Sequence, residues 1–512
     1  MTKYFKLPQH EALYNDPRLP EPKAIWNFMF FLAEIPRGSG NCKEIARRLQ
    51  ELGQQWGYES FIDTIGNVII RKPASPGLEN KSMVTLQAHM DIVAVGEDGL
   101  DHNFEKDPVI CRIAESNFPK HSKNSLFATG TSLGADDGIG CAMMLHILED
   151  KTLKHGPLEC VFTYDEETTM EGAVKMVPGT LKGKYLINID SEEDFRITIG
   201  CAGGFEQIMT FDVERENTEG FGSMFEIKGL QGGHSGVEIH EGRANAVKLL
   251  ARLVHEASLA ADMPEPVLMG FEGGTKRNVI PSVARCRVLI PDDKRAKFTE
   301  AVNKEFKQIK HEWKTIEPDL TLNFMIPEAA EKVSALTKAS SRKFLDLLLA
   351  LPHGVLRYSP DVAGLVETSI NMAIVHVCGR CVGEKARIEL FPRSSVNEFM
   401  PHIHQQLKAF ARLAGAELTP MENAFPGWEP NPSSPLLATA KECYKKVYGK
   451  EAEIYAIHAG LECGVLQEKH PGLQSISVGP YLKNVHSPKE ELMLDTVPGI
   501  NKLIIAILEA IE

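Results

Sequence analysis

Thr131-Ser-Leu-Gly-Ala-Asp-Asp-Gly-Ile-Gly140 is a glycine-punctuated turn carrying two adjacent carboxylates. Ile139, Met143 and Ile147 follow it at helical spacing, and glycines at 134, 138 and 140 suit a sharp bend, so Asp136 and Asp137 fall at or near a helix entrance. A carboxylate there can satisfy the first free N–H groups of the helix. It can instead bridge two metal ions, with Asp136 as the bridge. Taken alone the turn favours the cap, and only partners elsewhere in the chain can turn the reading toward the bridge.

Working outward, short runs that are almost wholly apolar or β-branched occur at 83–88, 160–164 and 185–189, and a helix-like segment at about 138–150 separates the first two. Continuous apolar strands separated by helices indicate a largely parallel sheet covered on both faces. Upstream, helical spacing at 24–35 and 43–56 is interrupted by Pro36-Arg-Gly-Ser-Gly40, and short strands follow near 58–63 and 67–71. After Gly203 the pattern changes to strands that alternate like half-solvated ones, as at 221–230, followed by a helix at 243–258 and further signals to about 330. A second passage of the same style has a helix at 334–350, strands at 366–377 and 384–391, and a helix at 396–413. Beyond Pro426-Gly-Trp-Glu-Pro-Asn-Pro432 the α/β character returns, with a helix at 434–448 and a strand at 475–478. The expected fold is therefore α/β. A catalytic domain with a mostly parallel central sheet between helices, 1–204 and 421–512, is interrupted by an inserted α+β lid or dimerisation-type domain of two similar halves, 205–420.

Composition narrows the function. A chain of 512 residues exceeds one typical core. Its formal charge of −13, with no lysine/arginine block, argues against a nucleic-acid partner. No 18-residue apolar run occurs and the N-terminus lacks an apolar signal core, so a cytoplasmic protein with no membrane partner is expected. Ten scattered cysteines favour reduced thiols over a disulfide framework. Cys378-Gly-Arg-Cys381 has CxxC spacing, but it lies between two strand-like runs and reads as a hairpin turn rather than a redox or zinc site.

Four segments end or turn in potential ligands. Leu86-Gln-Ala-His-Met-Asp91 closes a buried strand with His89 and Asp91 two residues apart, so one can ligate while the other orients it. Tyr164-Asp-Glu-Glu-Thr168 and Tyr185-Leu-Ile-Asn-Ile-Asp-Ser-Glu-Glu193 also end apolar strands in acids, at the sheet edge where open α/β proteins bind ligands. Adjacent carboxylates disfavour one another's ionisation unless a cation lies beside them. With the Asp136 turn, these mixed imidazole and carboxylate groups suit Zn²⁺, Mn²⁺ or Co²⁺ better than Ca²⁺. Gln231-Gly-Gly-His-Ser-Gly236 and Val485-His-Ser-Pro488 each add a loop histidine, to which the local sequence assigns no role.

Taken together, Ala88-His-Met-Asp91, Leu133-Gly-Ala-Asp-Asp-Gly138, Asp165-Glu-Glu167, Asn188-Ile-Asp190, Gly233-His-Ser-Gly236, Arg277-Asn-Val-Ile-Pro281, His458-Ala-Gly-Leu-Glu-Cys463 and Val485-His-Ser487 closely resemble the co-catalytic di-zinc aminoacylase/carboxypeptidase metallopeptidase family. The likeness is strongest to its Xaa-His, or β-alanyl-histidine, dipeptidase branch. It implies two divalent ions, Zn²⁺ first with Co²⁺ or Mn²⁺ as alternatives, bridged by Asp136. His89 and Asp190 would hold one ion, and Glu167 and His486 the other. It further implies Glu166 as general base to a metal-bridged hydroxide, Asp91 orienting His89, and His234 near the substrate carbonyl. Asn278 and Arg393 would meet the carboxylate end of a dipeptide, and Gly460 and Glu462 its amino end. Relatives include monomers and dimers, so a homodimer is allowed. Hydrolysis of N-acyl amino acids, another metallo-exopeptidase activity, and metal or peptide binding without turnover are the competing expectations.

Overall fold

In the computed structural model, which describes residues 2–377 and 385–512, the three apolar runs become Val84–His89, Leu158–Thr163 and Tyr185–Asn188. They lie side by side, and Val84–His89 pairs in parallel with both of the others. Gln474–Ser477 then joins Tyr185–Asn188, also in parallel. Their side chains are buried almost throughout because the sheet is covered on both faces. The complete eight-stranded sheet runs Glu59–Ile62, Val68–Lys72, Leu158–Thr163, Val84–His89, Tyr185–Asn188, Gln474–Ser477, Arg196–Cys201, Glu453–Ile457. Its central strands are the ones that pair in parallel. Glu59–Ile62 and Val68–Lys72 pair antiparallel because the link 63–67 is too short for a crossover, and Val68–Lys72 meets Leu158–Thr163 antiparallel as well.

Two helices in this part are apolar nearly all round, as buried helices must be. Lys23–Ala33 has every residue after Lys23 buried, and it packs with Ala135–Glu149 in the same core. At the start of the latter, Asp136 and Asp137 have non-helical backbone angles, and the peptide bond between them is cis. The regular helix therefore begins after Asp137. A small sheet of Leu482–Lys483, Glu491–Met493, Asn124–Ala128 and Cys111–Glu115 completes the unit.

The chain divides into two compact units. One comprises Met1–Gly200, Pro430–Ala456 and Leu461–Glu512, and the other Cys201–Glu429 with Ile457–Gly460. The sequence reading placed the borders at 204/205 and 420/421 and did not foresee the brief excursion at Ile457–Gly460. That excursion follows from backbone pairing, since the Ala202 N–H donates to the carbonyls of Ile457 and Ala459. The second unit is built on an eleven-stranded sheet. Its long strands Gly203–Asp212, Arg215–Lys228, Val366–Val377 and Lys385–Ser394 pair antiparallel with their neighbours. Ala246–Ala260, Arg295–Trp313, Lys338–Ala350 and Phe399–Ala414 contribute apolar faces to its separate core. Cys378-Gly-Arg-Cys381 lies outside the described residues.

One glycine ties the fold to the ligand-bearing strand ends. A Cβ on Gly479 would lie 1.6 Å from the carbonyl oxygen of Ser191 and 2.6 Å from its carbonyl carbon, immediately after Asp190. Backbone cannot yield as a side-chain tip can, and overpacking of this kind costs about 1–3 kcal/mol or more. Gly479→Ala is expected to lower the thermal unfolding midpoint and to reduce divalent-ion content through displacement of Asp190. Calorimetry and metal analysis on the same preparation read both effects.

Candidate metal centre

Asp136 is the point where two sets of candidate ligands meet. Its Oδ1 is 3.1 Å from His89 Nε2, and its Oδ2 is 3.0 Å from His486 Nε2. His89 Nε2 is 3.6 Å from Asp190 Oδ1, while His486 Nε2 is 2.9 Å from Glu167 Oε2. The carboxylate thus faces a His/Asp pair with one oxygen and a His/Glu pair with the other. Donor atoms of His89, Asp136 and Glu167 also lie within 4.8 Å of one another, so the two sets adjoin.

Each candidate ligand is placed by the local fold. His89 ends its strand, Glu167 follows the buried strand Leu158–Thr163, and Asp190 follows Tyr185–Asn188, so all three emerge at the carboxyl ends of neighbouring parallel strands. His486 has φ 59° and Asp165 φ 49°, left-handed conformations that are uncommon for non-glycine residues and persist where the surroundings impose them. Asp165 is held by the Gly40 N–H, which donates to its Oδ1 at 2.7 Å.

The carboxylates next to the ligands have a different task. Asp91 is fully buried. Its Oδ1 accepts the Glu166 N–H at 3.0 Å, and its Oδ2 accepts the Glu167 N–H at 3.2 Å and the Ser39 hydroxyl at 2.8 Å. His89 Nδ1 is 3.1 Å from the Asp91 carbonyl oxygen and 3.5 Å from its carboxylate. The strand ends at His89, so the orienting contact is shared between backbone and side chain instead of falling on the carboxylate alone. Asp137 accepts the Gly140 N–H at 3.2 Å, as a helix cap does, and its other oxygen accepts the His89 N–H at 3.3 Å.

Electrostatics separates these groups further. Burial alone would lower the His89 pKa, but Asp190, Asp136 and Asp91 override it and hold the imidazole well above its ordinary range. His486 is treated in the same way by Asp136 and Glu167 and rises to about 11. Asp136 is buried, yet the two imidazoles pull its carboxyl far below the usual range. Burial, reinforced by neighbouring carboxylates, raises Glu166 and Glu167 and lifts Asp190 to about 7. The cluster draws in positive charge wherever it can, and Glu167 Oε1 is buried with no partner among the described residues. Divalent cations would supply that charge, and the mixed N/O donor set suits Zn²⁺, Co²⁺ or Mn²⁺.

Glu462 belongs to the same unit and is fully buried. Its Oε2 accepts from Gln87 Nε2 at 2.6 Å and from the Thr163 hydroxyl at 2.5 Å, whereas Oε1 has no partner among the described residues. Gly460 lies in the excursion assigned to the second unit. That unit also holds His234, Asn278 and Arg393. The segments 233–235 and 278–280 run together, the Ser235 N–H donating to the Asn278 carbonyl at 2.8 Å and the Ile280 N–H to the Gly233 carbonyl at 2.8 Å. His234 Nδ1 accepts the N–H groups of Gly236 and Val237, which puts its proton on Nε2. Arg393 is buried, its Nε has no partner among the described residues, and burial together with the Arg277 charge lowers its pKa to about 10.

Several supporting residues escaped the sequence reading. Arg37 and Ser39 sit in the stretch read there as an interruption between helices. Arg37 Nη1 donates to the Met90 carbonyl at 3.0 Å and Nη2 to the Gly134 carbonyl at 2.6 Å. His458, quoted only as the start of a motif, is buried at 2.7 Å from the Ser369 hydroxyl, and burial beside Arg393 lowers its pKa to about 3. The signal that could have found Arg37 and Ser39 was polar residues within a short glycine-rich stretch following a mostly apolar helix.

Comparison with known proteins shows the family of the chain. The chain is 35% identical over 478 residues to the cytosol non-specific dipeptidase of Escherichia coli (strain K12), an alignment covering 93% of this chain and 95% of that protein. The crystal structure of aminoacylhistidine dipeptidase from Vibrio alginolyticus superimposes with a TM-score of 0.85 at 36% identity, covering 98% of this chain and 99% of that one. The aminopeptidase PepT from Bacillus cereus shares the fold, with a TM-score of 0.52 at 16% identity over 96% of this chain and 99% of its own. Residues 85–510, which include every candidate ligand described above, match peptidase family M20/M25/M40, and the chain belongs to that family.

Proposed function

We propose that this protein hydrolyses dipeptides, of the Xaa-His type including β-alanyl-histidine, at a centre of two divalent ions. The observation that carries the proposal is the division of Asp136 between two histidine/acid pairs. His89 and Asp190 would hold one ion, Glu167 and His486 the other, and Asp136 both. When bound, such a pair lowers the pKa of a water molecule and polarises the scissile carbonyl.

The chain's own residues do the rest. Glu166 is not needed as a ligand, and its backbone is fixed by Asp91. Its raised pKa suits a carboxylate that takes a proton from the attacking water and returns it to the leaving nitrogen. His234, with its proton on Nε2, is assigned to the carbonyl oxygen as charge develops there. Arg393 and Asn278 are assigned to the substrate carboxylate, where a guanidinium makes paired, charge-assisted hydrogen bonds. Glu462, beside Gly460, is assigned to the free amino group, because one of its oxygens is buried and unmatched. Glu462 also argues against an N-acyl amino acid as substrate, since an acylated nitrogen carries no ammonium to pair with it. The E. coli relative is cytosolic by name, and no helix among the described residues is long and apolar enough to cross a membrane. We therefore place the protein in the cytoplasm.

Glu166→Ala should lower kcat by roughly 10²- to 10⁴-fold with both ions retained. Near-normal turnover in that variant would remove Glu166 as the base. Metal analysis separates the adjacent aspartates, with Asp136→Ala expected to lose ions and activity and Asp137→Ala to lose less of both. Protein reconstituted with Zn²⁺, Co²⁺ or Mn²⁺ should cleave β-Ala-His and Gly-His and leave N-acetyl-histidine almost untouched. Comparable rates on the acetylated compound would favour the acyl amino acid hydrolase instead.

A further inference from the structure

We propose that Glu490 is a positioning residue of the metal centre, one that fixes the bridging carboxylate to the loop carrying His486. The inference rests on the di-metal reading above but concerns a residue outside the ligand set.

The N–H groups that precede a helix have no intrahelical partner and must be satisfied from elsewhere. Here the regular helix starts only after Asp137, which leaves the turn 133–136 with a row of N–H groups facing one way. Glu490, 2% exposed, takes all four. Its Oε2 accepts from Leu133 and Gly134, both at 2.8 Å, and its Oε1 accepts from Ala135 at 2.8 Å and Asp136 at 3.2 Å. Successive N–H groups aimed at one point form an anion nest, here filled by a side chain of the protein itself. The same turn is held from its other side, where the buried guanidinium of Arg37 takes the Gly134 carbonyl. Gly134 has φ +66°, and a Cβ there would lie 2.6 Å from Ile92 and 3.1 Å from Arg37, so the turn fits only as glycine.

The consequence for the metal centre comes from chain position. Glu490 lies four residues after His486, on the segment that leads into Glu491–Met493. The carboxylate therefore joins the His486 loop to the Asp136 turn. The 3.0 Å approach of His486 Nε2 to Asp136 Oδ2 is thereby supported by the four hydrogen bonds to Glu490. Its neighbour Glu491 provides a matched contrast. It is equally buried and accepts from the Ser116 hydroxyl and from the N–H and side-chain amide of Asn117, none of which touches a ligand.

Glu490→Gln preserves size but replaces one accepting oxygen by an NH₂ group that would face two N–H donors. Zn²⁺ affinity is measured on the full-length protein by competition with a chromophoric chelator, together with kcat, KM and the thermal midpoint. We expect Glu490→Gln to weaken the more loosely held ion roughly 10- to 100-fold, the range typical of residues that orient ligands, and to lower kcat with KM little changed. Glu491→Gln should lower the midpoint without altering Zn²⁺ affinity. Equal loss of affinity in both variants, or unchanged affinity in Glu490→Gln, overturns the inference. Should Glu490→Gln not fold, Glu490→Asp decides, because it retains the charge but shortens the reach and should weaken Zn²⁺ to a smaller degree. Unchanged affinity in Glu490→Asp would then overturn it. If the unsubstituted protein itself binds no Zn²⁺, the di-metal reading fails, an outcome distinct from failure of the Glu490 assignment.

Discussion

Like charge in a confined space is the constraint on which the rest of the structure depends. Asp91, Asp136, Asp137, Glu166, Glu167, Asp190 and Glu462 belong to one unit, with two imidazoles among them. Two unit charges 4 Å apart interact by about 4 kcal/mol at an effective dielectric constant of 20. Several such repulsions cannot be left standing against a net stability of only about 5–15 kcal/mol. The protein must therefore supply hydrogen-bond donors to some of these carboxylates, let others hold protons, and recruit cations for the remainder.

The hydrogen bonds sort the groups. Asp91, Asp137 and Glu490 are turned toward backbone N–H groups and hold the turns in place. Asp136, Glu167 and Asp190 are turned toward imidazole nitrogens. A carboxylate saturated by N–H donors has little left to offer a cation, whereas one facing an imidazole has its lone pairs directed into a shared space. The same distinction separates the two adjacent aspartates. Asp137 caps the helix and also steadies the His89 backbone, so the helix-cap reading of the turn is correct for that residue, while Asp136 is turned toward both imidazoles.

Much of this was legible in the sequence, for a physical reason. A parallel strand buried on both faces is a short apolar run, and an acid or histidine at its end stands out because the preceding residues are so uniformly apolar. His89, Glu166, Glu167 and Asp190 could be singled out in this way, and the glycines around Asp136 marked its turn. Arg37 and Ser39 left only a faint signal, polar residues in a short glycine-rich stretch, and Glu490 left none, since their partners are backbone groups or residues far away in the chain, and backbone hydrogen bonding leaves no trace in residue type. Pro36-Arg-Gly-Ser-Gly40 looks like an interruption between helices for the same reason. The outer strands near 58–63 and 67–71 were read, but their antiparallel direction escaped, because an apolar run announces burial but not strand direction. The short passage of 457–460 into the second unit is set by backbone pairing to Ala202, which is likewise silent in the sequence.

Specificity at the proposed centre must come from groups outside its ligand set, and Glu462, the group we assign to the substrate's amino end, differs from a structural carboxylate in its hydrogen bonding. Glu159 and Glu491 are just as buried, but each has both oxygens matched: Glu159 by Thr85, Arg71 and the Lys182 N–H, and Glu491 by Ser116 and Asn117. Glu462 has one oxygen satisfied by Gln87 and Thr163 and the other left without a partner among the described residues. Burial raises its carboxyl to about 8 against the opposing pull of Thr163. An unmatched buried oxygen costs about 1–3 kcal/mol, a cost a fold has no structural reason to retain. A substrate ammonium would ionise Glu462 and recover that cost, whereas an acylated or extended amino end would leave it unrecovered. On the proposed assignment of Glu462, discrimination would arise from a missing hydrogen bond in a dry site, which separates substrates more sharply than an apolar pocket of the same size can.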